Sequence, residues 1–457
     1  MIHGYPFPTS VAPGEALRLH VSTTAKRFAA DFFRQQERLT PLLTHEYPAH
    51  GFADPGTAAS DWNWPAYPFV IPASWGSGVY LVRLREGEAS SALPAPGQPP
   101  DPELLFVVRN RTPQSSILFK LPLASYHAYN AVGGGSLYET PSFSAHPAGR
   151  VVTLLRPGGG VGGVVPCFPD AYRPDTTRHT FYHWDAPFLS WLQRHGYHVD
   201  CCTNLDLHAD AQALDGYSLL VIGAHDEYWS AAERHVVERF VARGGNVAIF
   251  GGNTCWWRVQ YDAQMTNMIC HKGDDDGVAR DQWWLPQGAA RPEDSLTGVS
   301  YRNGGGWWES TREPVGYMVQ DATHWVFEGT SLRRGDCFGQ ETWPPLVGYE
   351  CDGVPLRAID AHGRAQLHPD AAVRGTPAHL EILGVGRLGS HWQDLPARED
   401  HPEGEGIHAA TMVVHHQQGT VFNAATTDWV TVATSGQCPA VERITHNVLR
   451  RLSPPTA

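Results

Sequence analysis

The sequence predicts a multi-domain protein of β plus α/β class, with an immunoglobulin-like β-sandwich over residues 1–112 and a parallel-sheet α/β domain over residues 113–457. Short apolar or alternating runs between Gly- and Pro-rich turns predict the sandwich. A strand, a helix and a second strand follow one another near residue 230, which predicts the parallel sheet. Short strands with long loops return at about 285–400, which predicts a β-rich insertion in the second domain.

The N-terminal pattern consists of short runs whose apolar residues alternate or cluster over a few positions. Gly- and Pro-rich turns separate the runs, as in antiparallel sandwiches. The predicted strands are residues 16–23, 68–71, 79–84 and 104–108.

The strongest local pattern is a β-α-β unit in the middle of the chain. Residues 218–223 are almost wholly apolar, as a strand covered on both faces requires. Ser230 and Glu233 have the spacing of a capping box, so we expect a helix to begin at Ala231. Two glycines end that helix, and residues 247–250 form the next strand.

Further elements follow the same periodicity rules on either side of this unit. Before it, we predict strands at 117–121, 151–155 and 199–203 and a helix at 183–195. After it, we predict strands at 304–309, 347–349, 381–385 and 411–423 and a final helix at 438–451.

Polar side chains follow four of the predicted strands. These residues are Tyr129, His208, Glu227 and Asn253. Because ligands bind at the carboxyl edge of open α/β sheets, we expect a site there, with the loop HDEYW as its centre. His225 and Glu227 could equally anchor loop backbone, and the Gly-Gly-Asn segment ending at Asn253 could be ordinary turn chemistry.

The composition limits the classes of function. A net charge of -13 without a clustered Lys/Arg run disfavours a nucleic-acid partner. No signal-peptide core and no apolar span of transmembrane length is visible, so we expect a cytoplasmic protein without membrane contact. The eight cysteines are scattered without CxxC pairs, which favours a reducing compartment.

Common catalytic motifs are missing from the sequence. It contains no Walker motif, no GxGxxG directly after the first strand of the predicted α/β domain and no GxSxG nucleophile elbow. Cys255 lies near the predicted sheet edge and is a candidate nucleophile. Its neighbours Trp256 and Trp257 would raise its thiol pKa if they bury it, which makes that role the weaker interpretation.

An ordered set of short motifs carries a family resemblance. The motifs are AYN at 128–130, SLY at 136–138, DLH at 206–208, HDEYWS at 225–230, GGN at 251–253, HWVFEGT from 324, GYECDG from 348 and TVFNAATTDW from 420. In this order they resemble the large catalytic subunit of N,N-dimethylformamidase, over roughly residues 105–435. With this resemblance we expect the second domain to be flavodoxin-like, that is, class I glutamine amidotransferase-like.

The resemblance implies a mononuclear ferric iron held by two tyrosines and one glutamate. Matched motif by motif, the implied metal ligands are Tyr129, Tyr138 and Glu227, the implied pocket residues are His225 and Asn253, and the implied general base is Glu350. The family separates its two tyrosines by a longer segment, so Tyr126 and Tyr182 remain alternatives to Tyr138. Two phenolates and a carboxylate would balance three positive charges, which suits a hard, oxygen-preferring ion.

The implied function is hydrolysis of the carbon-nitrogen bond of a small amide or formamide. Iron would polarise the carbonyl or activate water, and Glu350 would take the proton. The alternatives are an iron-dependent oxidoreductase and a non-catalytic flavodoxin-like module that binds a ligand or carbohydrate. Homo-oligomerisation and a small partner subunit both remain open.

Overall fold

The computed structural model describes residues 2–87, 102–138, 149–161, 170–273, 278–392 and 407–453. Within these ranges the protein is a mixed, β-rich fold with several sheets, both parallel and antiparallel, and seven α-helices. Residues 393–400 of the predicted insertion lie outside the described residues. No helix in the described ranges combines the length and apolar character needed to cross a membrane.

The N-terminal part contains eight strands in two sheets. They are β1 Ile2–Phe7, β2 Ser10–Val11, β3 Ala16–Thr23, β4 Arg27–Gln35, β5 Leu39–Pro48, β6 Ala66–Val70, β7 Gly78–Glu86 and β8 Glu103–Val108. One sheet has the order β1-β3-β6 and the other β2-β8-β7-β4-β5. All pairs are antiparallel except β2 with β8.

The remaining strands and helices lie between residues 117 and 452. The strands are β9 Ile117–Leu121, β10 Val151–Thr153, β11 Asp200–Thr203, β12 Leu219–Ala224, β13 Tyr228–Ser230, β14 Asn246–Gly251, β15 Trp257–Tyr261, β16 Asn267–Ile269, β17 Ser300–Gly306, β18 Tyr317–Val319, β19 Cys337–Phe338, β20 Glu350–Gly353, β21 Leu356–Ile359, β22 Ala365–Leu367, β23 Leu380–Arg387, β24 Ala409–His416 and β25 Thr420–Asn423. The helices are α1 Leu123–Tyr129, α2 Asp185–Arg194, α3 Asn204–Ala209, α4 Ala231–Ala242, α5 Asp294–Thr297, α6 Trp429–Ser435 and α7 Pro439–Leu452.

The two N-terminal sheets share one hydrophobic core. Leu19 and Val21 of β3 pack in the same cluster as Phe32 of β4 and Val82 of β7. The sequence predicted the positions of β3, β6, β7 and β8, but not those of β1, β2, β4 and β5. Most of β5 is exposed and carries prolines, so it lacks the apolar alternation on which a sequence prediction depends. The immunoglobulin-like assignment itself remains a prediction.

The central sheet has nine strands in the order β11-β9-β12-β14-β25-β24-β23-β18-β19. The first five run parallel and the remaining pairs are antiparallel. The predicted β-α-β unit is confirmed: β12, α4 and β14 follow one another, and the Ser230–Glu233 capping box is present. The predicted strand at 411–423 is instead the hairpin of β24 and β25, and the strand predicted at 347–349 begins at Glu350.

The segment predicted as an insertion is rich in strands, as expected. Three of its strands, β18, β19 and β23, extend the central sheet, whereas β17 pairs with β20 and β21 with β22. Since β20 begins with Glu350, this segment brings the proposed base next to the end of β14. Its strands therefore contribute to the site as well as to the sheet.

A buried ion cluster joins the sheet, the HDEYW loop and α4. The ammonium of Lys120 in β9 lies 2.6 Å from Asp226 and 2.5 Å from Glu233, and all three side chains are fully buried. Asn204 donates to Glu233 at 2.7 Å, and the ammonium lies 3.4 Å from the ring centroid of Trp229. Burial alone would lower the pKa of Lys120, but the two carboxylates raise it. The loop is thus fixed by charge as well as by packing.

Replacing Lys120 with methionine should leave two buried carboxylates without their cation. We expect the free energy of unfolding to fall by about 3–5 kcal/mol, measured by urea denaturation. The matched control is Arg27→Met, which removes an ion pair with Glu46 at the surface and should cost no more than about 1 kcal/mol. A Lys120→Met protein as stable as the control variant would contradict this role.

Candidate metal centre and active site

The HDEYW loop leaves the end of β12 in a strained backbone conformation. Ala224, the last residue of β12, has a φ of 39°, in the left-handed region. The backbone N–H of Glu227 donates to Ser125 Oγ of α1 at 2.9 Å, and that of Cys255 donates to Asp226 O at 2.9 Å. The loop is therefore held by α1 on one side and by the segment after β14 on the other.

Two phenol groups meet the carboxylate of Glu227. The hydroxyl of Tyr129 lies 2.9 Å from Oε2, and the hydroxyl of Tyr138 lies 2.8 Å from Oε1 and 2.9 Å from Oε2. The two phenol rings stack with centroids 4.3 Å apart. Tyr129 comes from the last turn of α1, Tyr138 from the loop after it and Glu227 from the HDEYW loop, so one helix and two loops bring the three oxygen groups together.

A second layer surrounds this cluster. Tyr228 donates from its hydroxyl to that of Tyr138 at 2.6 Å, and Lys272 donates to Tyr228 at 2.8 Å. The ammonium of Lys272 also lies 3.1 Å from the ring centroid of Tyr138. Burial raises the pKa of Glu227, and it raises the pKa of each phenol well above its ordinary value, so neither phenol would ionise at neutral pH without a strong cation beside it.

The donor set of Tyr129, Tyr138 and Glu227 suits a small, hard metal ion. Oxygen atoms 2.8–2.9 Å apart have the separation of adjacent ligands around an ion bound at about 2.0 Å. Phenol and carboxylate oxygens are the ligands that hard ions prefer, and the two phenol groups would each release a proton on binding. The residues present therefore fit the iron that the motif resemblance implies.

A second cluster is built around the carboxylate of Glu350. Nε2 of His225 lies 2.7 Å from Oε2, Asn253 donates its side-chain amide to Oε2 at 3.0 Å, and Trp308 donates to Oε1 at 3.0 Å. Burial alone would raise the pKa of Glu350 and lower that of His225, but the pair reverses both shifts. Glu350 is thus held in its charged form. The same Nε2 of His225 lies 3.8 Å from Glu227, which joins the two clusters.

The Gly-Gly-Asn turn allows this second cluster to form. Asn253 has a φ of 50°, and its backbone N–H donates to Asp352 Oδ1 at 3.0 Å. A Cβ on Gly251 would lie 2.3 Å from the carbonyl oxygen of Ala224, and one on Gly252 would lie 2.6 Å from that of Glu350. The two glycines are therefore needed because neighbouring backbone comes so close.

Several groups near the site carried no recognisable sequence signal. His179 stacks on Tyr129 and contacts His225 and Tyr349, although it lies in an irregular segment. Lys272 also lies in a loop, where periodicity gives no information. A signal existed for Tyr228, because it is part of HDEYW itself.

Other candidate residues lie elsewhere. Tyr126 donates to Asp185, and Tyr182 interacts with Glu103 and Arg83, so among these tyrosines the structure brings only Tyr129 and Tyr138 to Glu227. His208 contacts the hydroxyl of Ser230 at 2.8 Å, because a short helix, α3, follows β11 and turns it away.

The candidate nucleophile Cys255 is fully buried in the loop that connects β14 and β15. Burial raises its thiol pKa well above the ordinary value. The nucleophilic thiolate is therefore disfavoured at neutral pH, as its tryptophan neighbours had suggested.

A separate His/Glu group could also hold a metal ion. His195 after α2 and Glu442 and His446 of α7 offer ligand atoms within 4.8 Å of one another. Glu442 and His446 share a helix face at i, i+4 spacing, and the hydroxyl of Tyr197 lies 2.8 Å from Nδ1 of His446. Burial lowers the pKa of His446, and the positive charges of the nearby Arg443 and Arg450 lower it further. These arginine charges would also repel a cation.

The fold and these two clusters define a protein of mixed, β-rich class with a buried, oxygen-rich site beside a histidine–glutamate pair. The chain belongs to the N,N-dimethylformamidase beta subunit-like, C-terminal family, whose sequence profile matches residues 29–438. The match begins within β4, well before the span of 105–435 over which the motifs showed the resemblance. Membership suggests a dimethylformamidase-type hydrolase, and the family description refers to a beta subunit, which hints at a multi-subunit enzyme. A search of curated proteins gave no match.

Substituting Gly252 with alanine tests the close backbone approach at the turn. The added Cβ would lie 2.6 Å from the carbonyl oxygen of Glu350, so we expect a loss of about 1–3 kcal/mol in the free energy of unfolding. The matched control is Gly273→Ala, whose Cβ would meet no atom within 4 Å and should change stability by about 0.5 kcal/mol or less. Equal stabilities of the two variants in urea would show that the turn has room to spare.

Proposed function

We propose that this protein hydrolyses the carbon-nitrogen bond of a small amide or formamide at a mononuclear ferric iron held by Tyr129, Tyr138 and Glu227. The observation that carries the proposal is the meeting of three oxygen groups at 2.8–2.9 Å, directly beside the His225–Glu350 pair. Family membership supports the reaction type, since the family is named for an amide hydrolase.

The charge of the proposed ligand set suits a neutral substrate. Two phenolates and one carboxylate would cancel the three charges of ferric iron, so an uncharged amide would enter without an electrostatic penalty. When bound, the ion would act as a Lewis acid that polarises the amide carbonyl or lowers the pKa of a water molecule. Lys272, beside the ring of Tyr138, would favour the phenolate form of that ligand.

The chain's own residues divide the remaining work. Glu350 is held as a carboxylate and would take a proton from the attacking water. Nε2 of His225 lies 2.7 Å from the carboxylate of Glu350, and Asn253 donates its side-chain amide to the same carboxylate. Both groups would serve the developing oxyanion once the substrate oxygen takes over part of that contact. His225 would also supply a proton to the departing amine.

We also propose the division into an immunoglobulin-like domain at 1–112 and a flavodoxin-like domain at 113–457. The shared core of the two N-terminal sheets and the five parallel strands of the central sheet support it. Leu81 and Leu105 of the first part pack with Phe119 and Phe188 of the second, so the proposed domains would be in firm contact. A small partner subunit or self-association is part of this proposal, supported by the family description.

The metal centre is tested by iron analysis and a visible spectrum of the purified protein. We expect about one iron per chain and a tyrosinate charge-transfer band that is strongly reduced in Tyr129→Phe and Glu227→Ala. Tyr126→Phe is the matched control, because its hydroxyl faces Asp185, and it should keep the band. A colourless wild-type protein prepared with iron supplied would rule out the tyrosinate centre.

The hydrolytic role of Glu350 is tested by amine release from a panel of small amides and formamides. Removing the base in Glu350→Gln should lower kcat by about 10²–10⁴-fold while iron content stays unchanged. Glu341→Gln, an exposed carboxylate, is the control and should behave as wild type. Full activity in Glu350→Gln would exclude this residue as the base.

A further inference from the structure

His179 lies between the two clusters of the site and contacts both. Its buried ring stacks on that of Tyr129, with centroids 3.5 Å apart and planes 2° from parallel. Its Nδ1 lies 3.2 Å from Nδ1 of His225, and its Nε2 lies 2.9 Å from the hydroxyl of Tyr349. One ring face and both ring nitrogens of His179 therefore make contacts within the site.

The backbone of His179 is strained. Its φ of 58° lies in the left-handed region, which is unfavourable for a residue that carries a side chain. Such a conformation persists only where the surroundings enforce it, and it clusters at functional sites. In this conformation the imidazole lies against Tyr129 and His225.

The contact between the Nδ1 atoms of His179 and His225 restricts the orientation of the His225 ring. Its Nε2 lies 2.7 Å from a carboxylate oxygen of Glu350, and both atoms would repel unless Nε2 carries a proton. Between the two facing Nδ1 atoms of His225 and His179, one must donate and the other accept. The Nδ1 contact thus occupies the one nitrogen of His225 that does not face Glu350, and it opposes rotation of the ring.

We propose that His179, oriented by the hydroxyl of Tyr349, is a positioning residue that fixes the imidazole of His225 with Nε2 directed at Glu350 and the substrate. The catalytic consequence rests on the proposed function. The order Tyr349–His179–His225–Glu350 is a property of the folded chain and holds whatever the protein hydrolyses.

Two variants separate this role from simple packing. Tyr349→Phe removes only the hydroxyl that contacts His179, and His179→Asn removes the imidazole while keeping a residue type that tolerates positive φ. Tyr317→Phe is the matched control, because it loses a buried hydroxyl that donates to Ala424 O, outside this chain of contacts.

The first readout is proton and nitrogen NMR of the metal-free protein labelled with ¹⁵N-histidine. We expect a low-field Nε2 proton for His225, assigned by its loss in His225→Gln. It should shift in Tyr349→Phe and be lost to exchange or shift further in His179→Asn. The control variant should leave it unchanged.

The second readout is kinetics on the iron-loaded protein. We expect kcat to fall about tenfold in Tyr349→Phe, the value of one hydrogen bond, and about 100-fold in His179→Asn, with KM and iron content unchanged. An unshifted His225 signal in both variants would overturn the inference. If the signal shifts as expected but no amide is hydrolysed by the wild type, the positioning role stands and the proposed function fails.

Discussion

The site depends on one buried electrostatic interaction, the contact of Lys120 with Asp226 and Glu233. Asp226 lies between His225 and Glu227 in sequence, so the ion pair with Lys120 fixes the loop that carries both of these site residues. Glu233 belongs to the capping box that starts α4, and the same carboxylate receives Lys120. Strand, loop and helix are therefore joined at one fully buried point, where an unpaired charge would be costly.

The carboxylates of the two clusters differ in how their negative charge is compensated. Glu350 is buried with a histidine and two N–H donors, so its charge is already balanced. Glu227 is buried against two phenol groups, and the nearby His225 and Lys272 lower its pKa without reversing the rise that burial causes. A cation between the three oxygen groups would balance the charge of Glu227 and favour the ionised form of both phenols. His179 contacts both clusters through the ring of Tyr129 and Nδ1 of His225.

Local sequence patterns predicted the elements that depend on local chemistry. The capping box at Ser230, the apolar strand β12 and the final helix follow from residue spacing alone. The exposed strand β5 and the turn of α3 were not predicted, because neither shows a strong apolar period. The motif resemblance indicated Tyr129, Glu227 and Glu350, which the fold brings close together. His179 and Lys272 could not be predicted, because irregular loops bring them to the site and only tertiary packing decides where those loops run.

The central claim is that one iron ion binds between Tyr129, Tyr138 and Glu227. Anomalous X-ray diffraction at the iron absorption edge, on crystals of protein prepared with iron supplied, tests it most directly. The account predicts a single strong peak about 2 Å from the oxygen atoms of those three residues. A peak at the His195–Glu442–His446 group in place of this one, or no peak in iron-replete crystals, would contradict it.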